Sequence, residues 1–305
     1  MTLPGIGTNR TPPVARPGAF FMVEGPGFST GRFNRVRVDA LDVPERWLTI
    51  GCRRPRDLRN VDFQTSGRCS CAGDAGPLEH AAAGLGIAGL QGWHLRAEHF
   101  DLPLLDGSAR AWYEGARRLR SGGRIPTRAW KGGALDETFA NERGGTLAAR
   151  SAEAFRLDVE WSGGPDGPER WSGGTADLVR LAGARTFIDV ASYMECRRRG
   201  ELDGSDVSSG RLLRGAHPLN GNALELARAI GVDPSRSVWT GGDERVSCEC
   251  AAHKALDLVG DILLWLGYLP SLHVSARDAG HGLHHRLGAR LRRLGNNAAT
   301  ELTCP

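Results

Sequence analysis

The sequence predicts an α+β fold in two parts, from three observations. Short alternating runs between about Phe20 and Cys71, broken by Gly, Pro and Asp, read as strands and turns. Helical periods follow at 77–90 and 108–119, and the same order of strands then helices returns after residue 126. Strands grouped before helices argue against alternating βα units.

In chain order, "NRVRVDAL" and "RWLTIGC" alternate as strands, and "PLEHAAAGLGIAGL" (77–90) and "SARAWYEGARRL" (108–119) are helices around an extended "WHLRAEHFDLPLL". "RSGGRIP" (120–126) joins Gly, Pro and charge, so the expected division is 1–124 and 125–305. Beyond it "AFRLDVEW" (154–161) alternates as a strand and "GGPDGPERWSGG" reads as a turn or loop. Helices are expected at "FIDVASYMECRRRG", at "NALELARAIG" and through "AAHKALDLVGDILLWL". "SLHVSA" (271–276) is strand-like, and "HGLHHRLGARLRRLG" is a closing amphipathic helix. The halves share this order of elements without a residue-level repeat.

Composition narrows the function classes. The 305 residues, 40% of them hydrophobic, can build real cores. With 39 Lys and Arg against 35 Asp and Glu, the chain lacks the imbalance of a general nucleic-acid binder. Clusters such as Arg53, Arg54 and Arg56 or Arg197 to Arg199 read as solvated faces, or as attraction for a diphosphate or an anionic membrane surface. The start is broken by Pro and Gly with no apolar region of signal-peptide length, and "ILLWLGYLP" is too short to span a bilayer. Seven cysteines, an odd number, suit a reducing compartment, so a cytoplasmic protein is expected.

Nucleotide-binding loops are absent: "GPGFSTG" and "GLGIAGL" lack the Lys-Ser/Thr of a P-loop and the strand-to-helix setting of a dinucleotide site. No Gly-x-Ser-x-Gly nucleophile elbow occurs. The polar row within "AAHKALDLVGD" is more informative. At about 3.6 residues per turn, His253, Asp257 and Asp261 share one face of an otherwise apolar helix. Such spacing lets an imidazole and a carboxylate converge on one metal ion; equally, the two can satisfy each other. His80 offers a third ligand, with Glu79 beside it able to take a proton from water. Glu98 and His99 repeat that dipeptide in a strand-like setting. His281 follows a Gly at the mouth of the last helix, where it either faces a cleft or, with His284 and His285, belongs to a solvated helix start.

Taken in order, "LEHAAAGLGIAGL", "DLPLLDGSARAWYEG", "ARTF", "HKALDLVGD" and "AGHGLHHRL" resemble the UDP-3-O-acyl-N-acetylglucosamine deacetylases, zinc amidases of lipid A biosynthesis. The resemblance implies two β-sheet-plus-helix halves packed as a layered sandwich, helices between the sheets and the active site at their interface. It implies Zn2+ on His80, His253 and Asp257, Glu79 as general base, and His281 as acid oriented by Asp261. Thr186 would donate near the developing oxyanion, and Lys254 would add positive charge. A UDP-acyl-aminosugar substrate, at most peripheral inner-membrane contact, no nucleic acid and a monomer complete the expectation.

The pattern departs from the family in places. "CECAA" keeps Glu249 but has Cys248 and Ala252 where the family has Asp and Arg, "DGSDVSSGRL" (203–212) replaces the loop of the acyl passage, and Ser29 stands for His in the N-terminal turn. These changes leave room for another N-acyl sugar or small amide as substrate. Cys248 and Cys250 raise a further alternative, a non-catalytic zinc or thiol module, against which their single intervening residue argues.

Overall fold

The computed structural model describes residues 10–65, 68–119, 123–163, 167–188, 195–196, 198–200, 212–213 and 245–301. Five strands form the first sheet: β1 (Phe20–Pro26), β2 (Phe33–Ala40), β3 (Arg46–Ile50), β4 (Arg56–Asp57) and β5 (Trp93–Ala97), ordered β1-β2-β5-β3-β4. The last of them enters the middle, antiparallel to β2 and parallel to β3. The second sheet holds β6 (Asp136–Ala140), β7 (Thr146–Ser151), β8 (Arg156–Trp161), β9 (Glu169–Gly174) and β10 (Leu272–Arg277), ordered β9-β8-β10-β7-β6. Here too the last strand enters the middle, antiparallel to β7 and parallel to β8. One topology is therefore used twice. Along β2, Asn34, Val36 and Val38 are buried and alternate with exposed residues, the half-buried pattern that the sequence period predicts.

Among the described residues, four α-helices fill the space between the sheets: α1 (Glu79–Ile87), α2 (Arg110–Leu119), α3 (Glu249–Leu266) and α4 (His281–Glu301). In each half one helix precedes the central strand and one follows it. α3 packs against α1, α4 and β8, while α2 lies on β1 and α4 on β6 and β7. Every residue of α1 is buried, as is every residue of α3 from Glu249 to Trp265 except Lys254. Such helices owe their place to packing on all sides rather than to one apolar stripe. Two glycines set the approach. A Cβ on Gly84 would lie 2.6 Å from Trp112 Cβ on α2, and one on Gly260 would lie 2.2 Å from the carbonyl oxygen of Glu79. The end of α3 is closed by Gly267 at φ 79°, a left-handed cap. The Arg46 guanidinium donates to the carbonyls of Leu263 and Leu264, and Arg292 donates to that of Trp265 at 3.0 Å.

Two expectations need correction. "GGPDGPERWSGG" is not all loop, because Glu169–Gly174 forms β9, an edge strand paired with β8 from Glu169↔Trp161 to Gly174↔Arg156. An edge strand requires a partner on one side only, so small and polar residues are admitted there. The segment read as a helix from Phe187 opens instead with a short strand, Phe187–Ile188, paired in parallel with Leu212–Leu213. Of its remainder, 189–194 and 197 lie outside the described residues, as do "NALELARAIG" and 203–211 of the altered loop. Among the described residues no helix is long and apolar enough to cross a membrane.

Candidate active site

Three helices bring the chemistry together. Glu79 and His80 open α1, His253, Asp257 and Asp261 descend one face of α3, and His281 and His284 lie on the first turn of α4. All seven side chains are buried. His253 Nε2 is 3.2 Å from Asp257 Oδ1, and His80 Nε2 is 3.5 Å from the same oxygen. The two imidazoles stand edge to face, centroids 5.0 Å apart. On the other side of Asp257, its Oδ2 is 4.0 Å from His281 Nε2. His281 Nδ1 donates to Asp261 Oδ2 at 2.8 Å, and His284 Nδ1 donates to the same oxygen at 2.8 Å.

The first group fits a divalent cation. His253 Nδ1 donates to the Ala184 carbonyl at 3.1 Å, which leaves the Nε2 lone pair of the neutral ring facing a carboxylate oxygen. That oxygen, Asp257 Oδ1, is buried without a hydrogen-bond partner, a costly state for a charged acceptor unless a cation compensates it. Donors bound at about 2.1 Å to one tetrahedral ion lie about 3.4 Å apart, close to the separations found here. Among the described residues, His80, His253 and Asp257 form one of three groups whose ligand atoms lie within 4.8 Å of one another; the others are Glu79, Asp257 and His281, and Asp261, His281 and His284. Neither Cys248 nor Cys250 belongs to such a group among the described residues.

Burial also sets the proton affinities. It pushes the Glu79 carboxyl up to about 7, against the opposing pull of His281 and His80. Burial disfavours charge on His281 too, but the adjacent Asp261 carboxylate dominates with the help of Asp257 and Glu79, and raises its pKa to about 10. Burial works likewise against the charge of Asp261, and the His281 and His284 imidazoles nevertheless hold it below the usual carboxylate range. The result is a carboxyl poised to accept a proton beside an imidazole poised to carry one.

Lys254 and Thr186 stand beside this cluster rather than in it. Lys254 Nζ lies 5.6 Å from the centroid of the Phe187 ring, whose centroid is 6.3 Å from that of His253. The Thr186 N–H donates to Gly107 O at 2.7 Å. Between Ala184 and Thr186, Arg185 forms a fully buried ion pair with Glu249, Nε to Oε1 2.8 Å and Nη2 to Oε2 3.0 Å. That pair pins the segment whose carbonyl orients His253. Ser29, at the N-terminal turn, donates its N–H to the Asp101 carboxylate at 3.0 Å.

Sequence reasoning missed Ser70. Its N–H donates to Glu79 Oε2 at 2.8 Å, while its hydroxyl contacts Asp261 Oδ1, His285 Nε2 at 3.0 Å and His281 Nδ1 at 3.3 Å. It sits in a two-residue strand, Ser70–Cys71, where no period marks it. Trp265, which donates to His285 Nδ1 at 2.8 Å, was visible only as an apolar helix residue.

A buried carboxyl beside a metal-competent triad, where two α+β halves meet, is the equipment of a hydrolase. Residues 64–293 match the sequence profile of the family described as UDP-3-O-acyl N-acetylglycosamine deacetylase. The UDP-3-O-acyl-N-acetylglucosamine deacetylase of Thermosynechococcus vestitus is 31% identical over 219 residues, 69% of this chain and 67% of the relative. Its namesake in Solibacter usitatus is 27% identical over 85% of this chain and 79% of its own, and that of Trichormus variabilis 27% over 73% and 76%. The chain belongs to the UDP-3-O-acyl N-acetylglycosamine deacetylase family.

Proposed function

We propose that this protein hydrolyses the N-acetyl group of UDP-3-O-acyl-N-acetylglucosamine, releasing acetate and a free amine in lipid A biosynthesis, with zinc as its cofactor. The observation that carries the reading is Asp257 Oδ1, buried without a hydrogen bond between two imidazole nitrogens in a chain of this family. His80, His253 and Asp257 would hold the ion. Zinc bound there supplies a Lewis acid that polarises the acetamide carbonyl and acidifies water.

The remaining steps belong to the chain's own groups. Glu79, with its pKa near 7, takes the proton of the attacking water. As the C–N bond breaks, His281 gives its proton to the departing amine, and Asp261 keeps the ring oriented and charged. Lys254 and Thr186 stabilise charge developing on the carbonyl oxygen. The reading includes a division into 1–124 and 125–305, a cytoplasmic monomer and at most peripheral contact with the inner membrane.

Metal content and acetate release from UDP-3-O-acyl-N-acetylglucosamine, measured for the wild type and Glu79→Ala, test it. The expected result is one zinc per chain in both and turnover only in the wild type. A wild type that releases no acetate overturns the reading. Equal turnover of an N-acyl sugar lacking UDP would redirect it to another substrate, and loss of zinc in Cys248→Ala but not in His80→Ala would move the metal to the thiols.

A further inference from the structure

Trp265 gives the buried network behind the site a direction. An indole N–H can only donate. Its acceptor is His285 Nδ1 at 2.8 Å, so a neutral His285 carries its proton on Nε2, and burial favours that neutral ring. This Nε2–H faces Ser70 Oγ at 3.0 Å. A hydroxyl that accepts from His285 turns its own proton elsewhere, and the acceptor in reach is Asp261 Oδ1, since His281 Nδ1, 3.3 Å away, is itself a donor to Asp261. Asp261 Oδ2 then remains for the Nδ1–H groups of His281 and His284. Ser70, Asp261, Trp265, His281, His284 and His285 are all buried, so water does not compete for these bonds.

We propose that Ser70 is a positioning residue for the deacetylation, and that the donor chain from Trp265 through His285 and Ser70 to Asp261 fixes the orientation of His281 by holding its Nδ1–H on Asp261. The proposal rests on the deacetylase reading above. Ser70 reaches both sides of the reaction: its hydroxyl holds the partner of the acid, and its backbone N–H holds Glu79.

The experiment compares wild type, Ser70→Ala, Ser70→Thr, Trp265→Phe and the Ser70→Ala/Trp265→Phe double variant. It reads kcat and KM for acetate release, zinc content, and imidazole 15N shifts that report which ring nitrogens of His281 and His285 carry protons. Expected are Nε2–H for His285 and Nδ1–H on His281 in the wild type. Ser70→Ala should lose about tenfold to hundredfold in kcat, the usual reach of such outer partners, with KM within about twofold and zinc retained. Ser70→Thr should recover most of the rate, and the double variant should be no slower than Ser70→Ala, because both changes cut one chain. His285 protonated on Nδ1, wild-type kcat in Ser70→Ala, or losses that multiply in the double variant would overturn the proposal. A wild type without acetate release defeats the deacetylase reading alone, since the tautomers still decide the chain. Should Ser70→Ala not fold, the wild-type and Trp265→Phe spectra carry the test.

Discussion

His253 and Asp257, one turn apart on α3, hold Nε2 and Oδ1 3.2 Å from each other while the second ring nitrogen of His253 is committed to the Ala184 carbonyl. The imidazole donor is thus oriented by the fold itself. Little side-chain freedom remains to be lost when an ion arrives.

Stripping the ion should weaken the fold, because it leaves a buried carboxylate uncompensated. Zinc at one hundred times its Kd is expected to add about 2.7 kcal/mol. For a chain of this size that is a rise of several degrees in Tm. Calorimetry on chelated protein before and after zinc is restored checks it, and an unmoved Tm would contradict the assigned triad.

In chelated protein, Glu79→Gln should stabilise, and increasingly so at higher pH. The folded-state pKa of Glu79, about 7, lies above its ordinary 4.5, so the folded protein binds this proton more tightly than the unfolded chain. The stability this contributes is complete below pH 4.5 and is lost as pH rises through 7. Gln has no proton to lose. At roughly 1.4 kcal/mol per pKa unit, the gap between variant and wild type should open by up to about 3 kcal/mol between pH 5 and 8. Parallel Tm curves across that range would show that Glu79 does not titrate as described.

Arg185→Met strands the Glu249 carboxylate in a fully buried position. A loss of about 3–5 kcal/mol is expected in urea denaturation. Adding Glu249→Leu should restore part of it, since the stranded charge is then gone. If the double variant is no better than the single one, the stranded charge is not the cause.

Gly260→Ala places a methyl carbon 2.2 Å from the Glu79 carbonyl oxygen. Backbone cannot yield as a side-chain tip can, so the cost should be about 2 kcal/mol or more. Zinc affinity should fall with it, because α1 carries His80 and α3 carries the other two proposed ligands. Wild-type stability together with wild-type affinity would mean that this helix contact does not set the site.

The row on α3 was legible because helical periodicity is local: residues four apart share a face whatever the rest of the chain does. The Glu79–His80 pair was legible as a dipeptide. Its meeting with the row was legible only through the family resemblance, since no local pattern carries the close α1–α3 approach across Gly260. β9 was hidden by its Gly, Ser and Glu content, which an edge tolerates and a pattern does not flag. The insertion of β10 between β7 and β8 joins residues more than a hundred positions apart, beyond the reach of any sequence window. Ser70 has no such signature, being recognisable only by what surrounds it in space.

α1 and α3 occupy corresponding berths in two sheets of like topology, yet they bring unlike chemistry to the seam. One contributes an imidazole and a carboxyl from adjacent positions at its first turn, the other a longitudinal ladder of donors. Symmetry in the scaffold supplies a shared wall; divergence in the side chains makes its two faces unequal. In the proposed reaction that inequality would let a proton enter the cleft at Glu79 on the α1 bank and leave from His281 of α4, tethered to the α3 bank by Asp261.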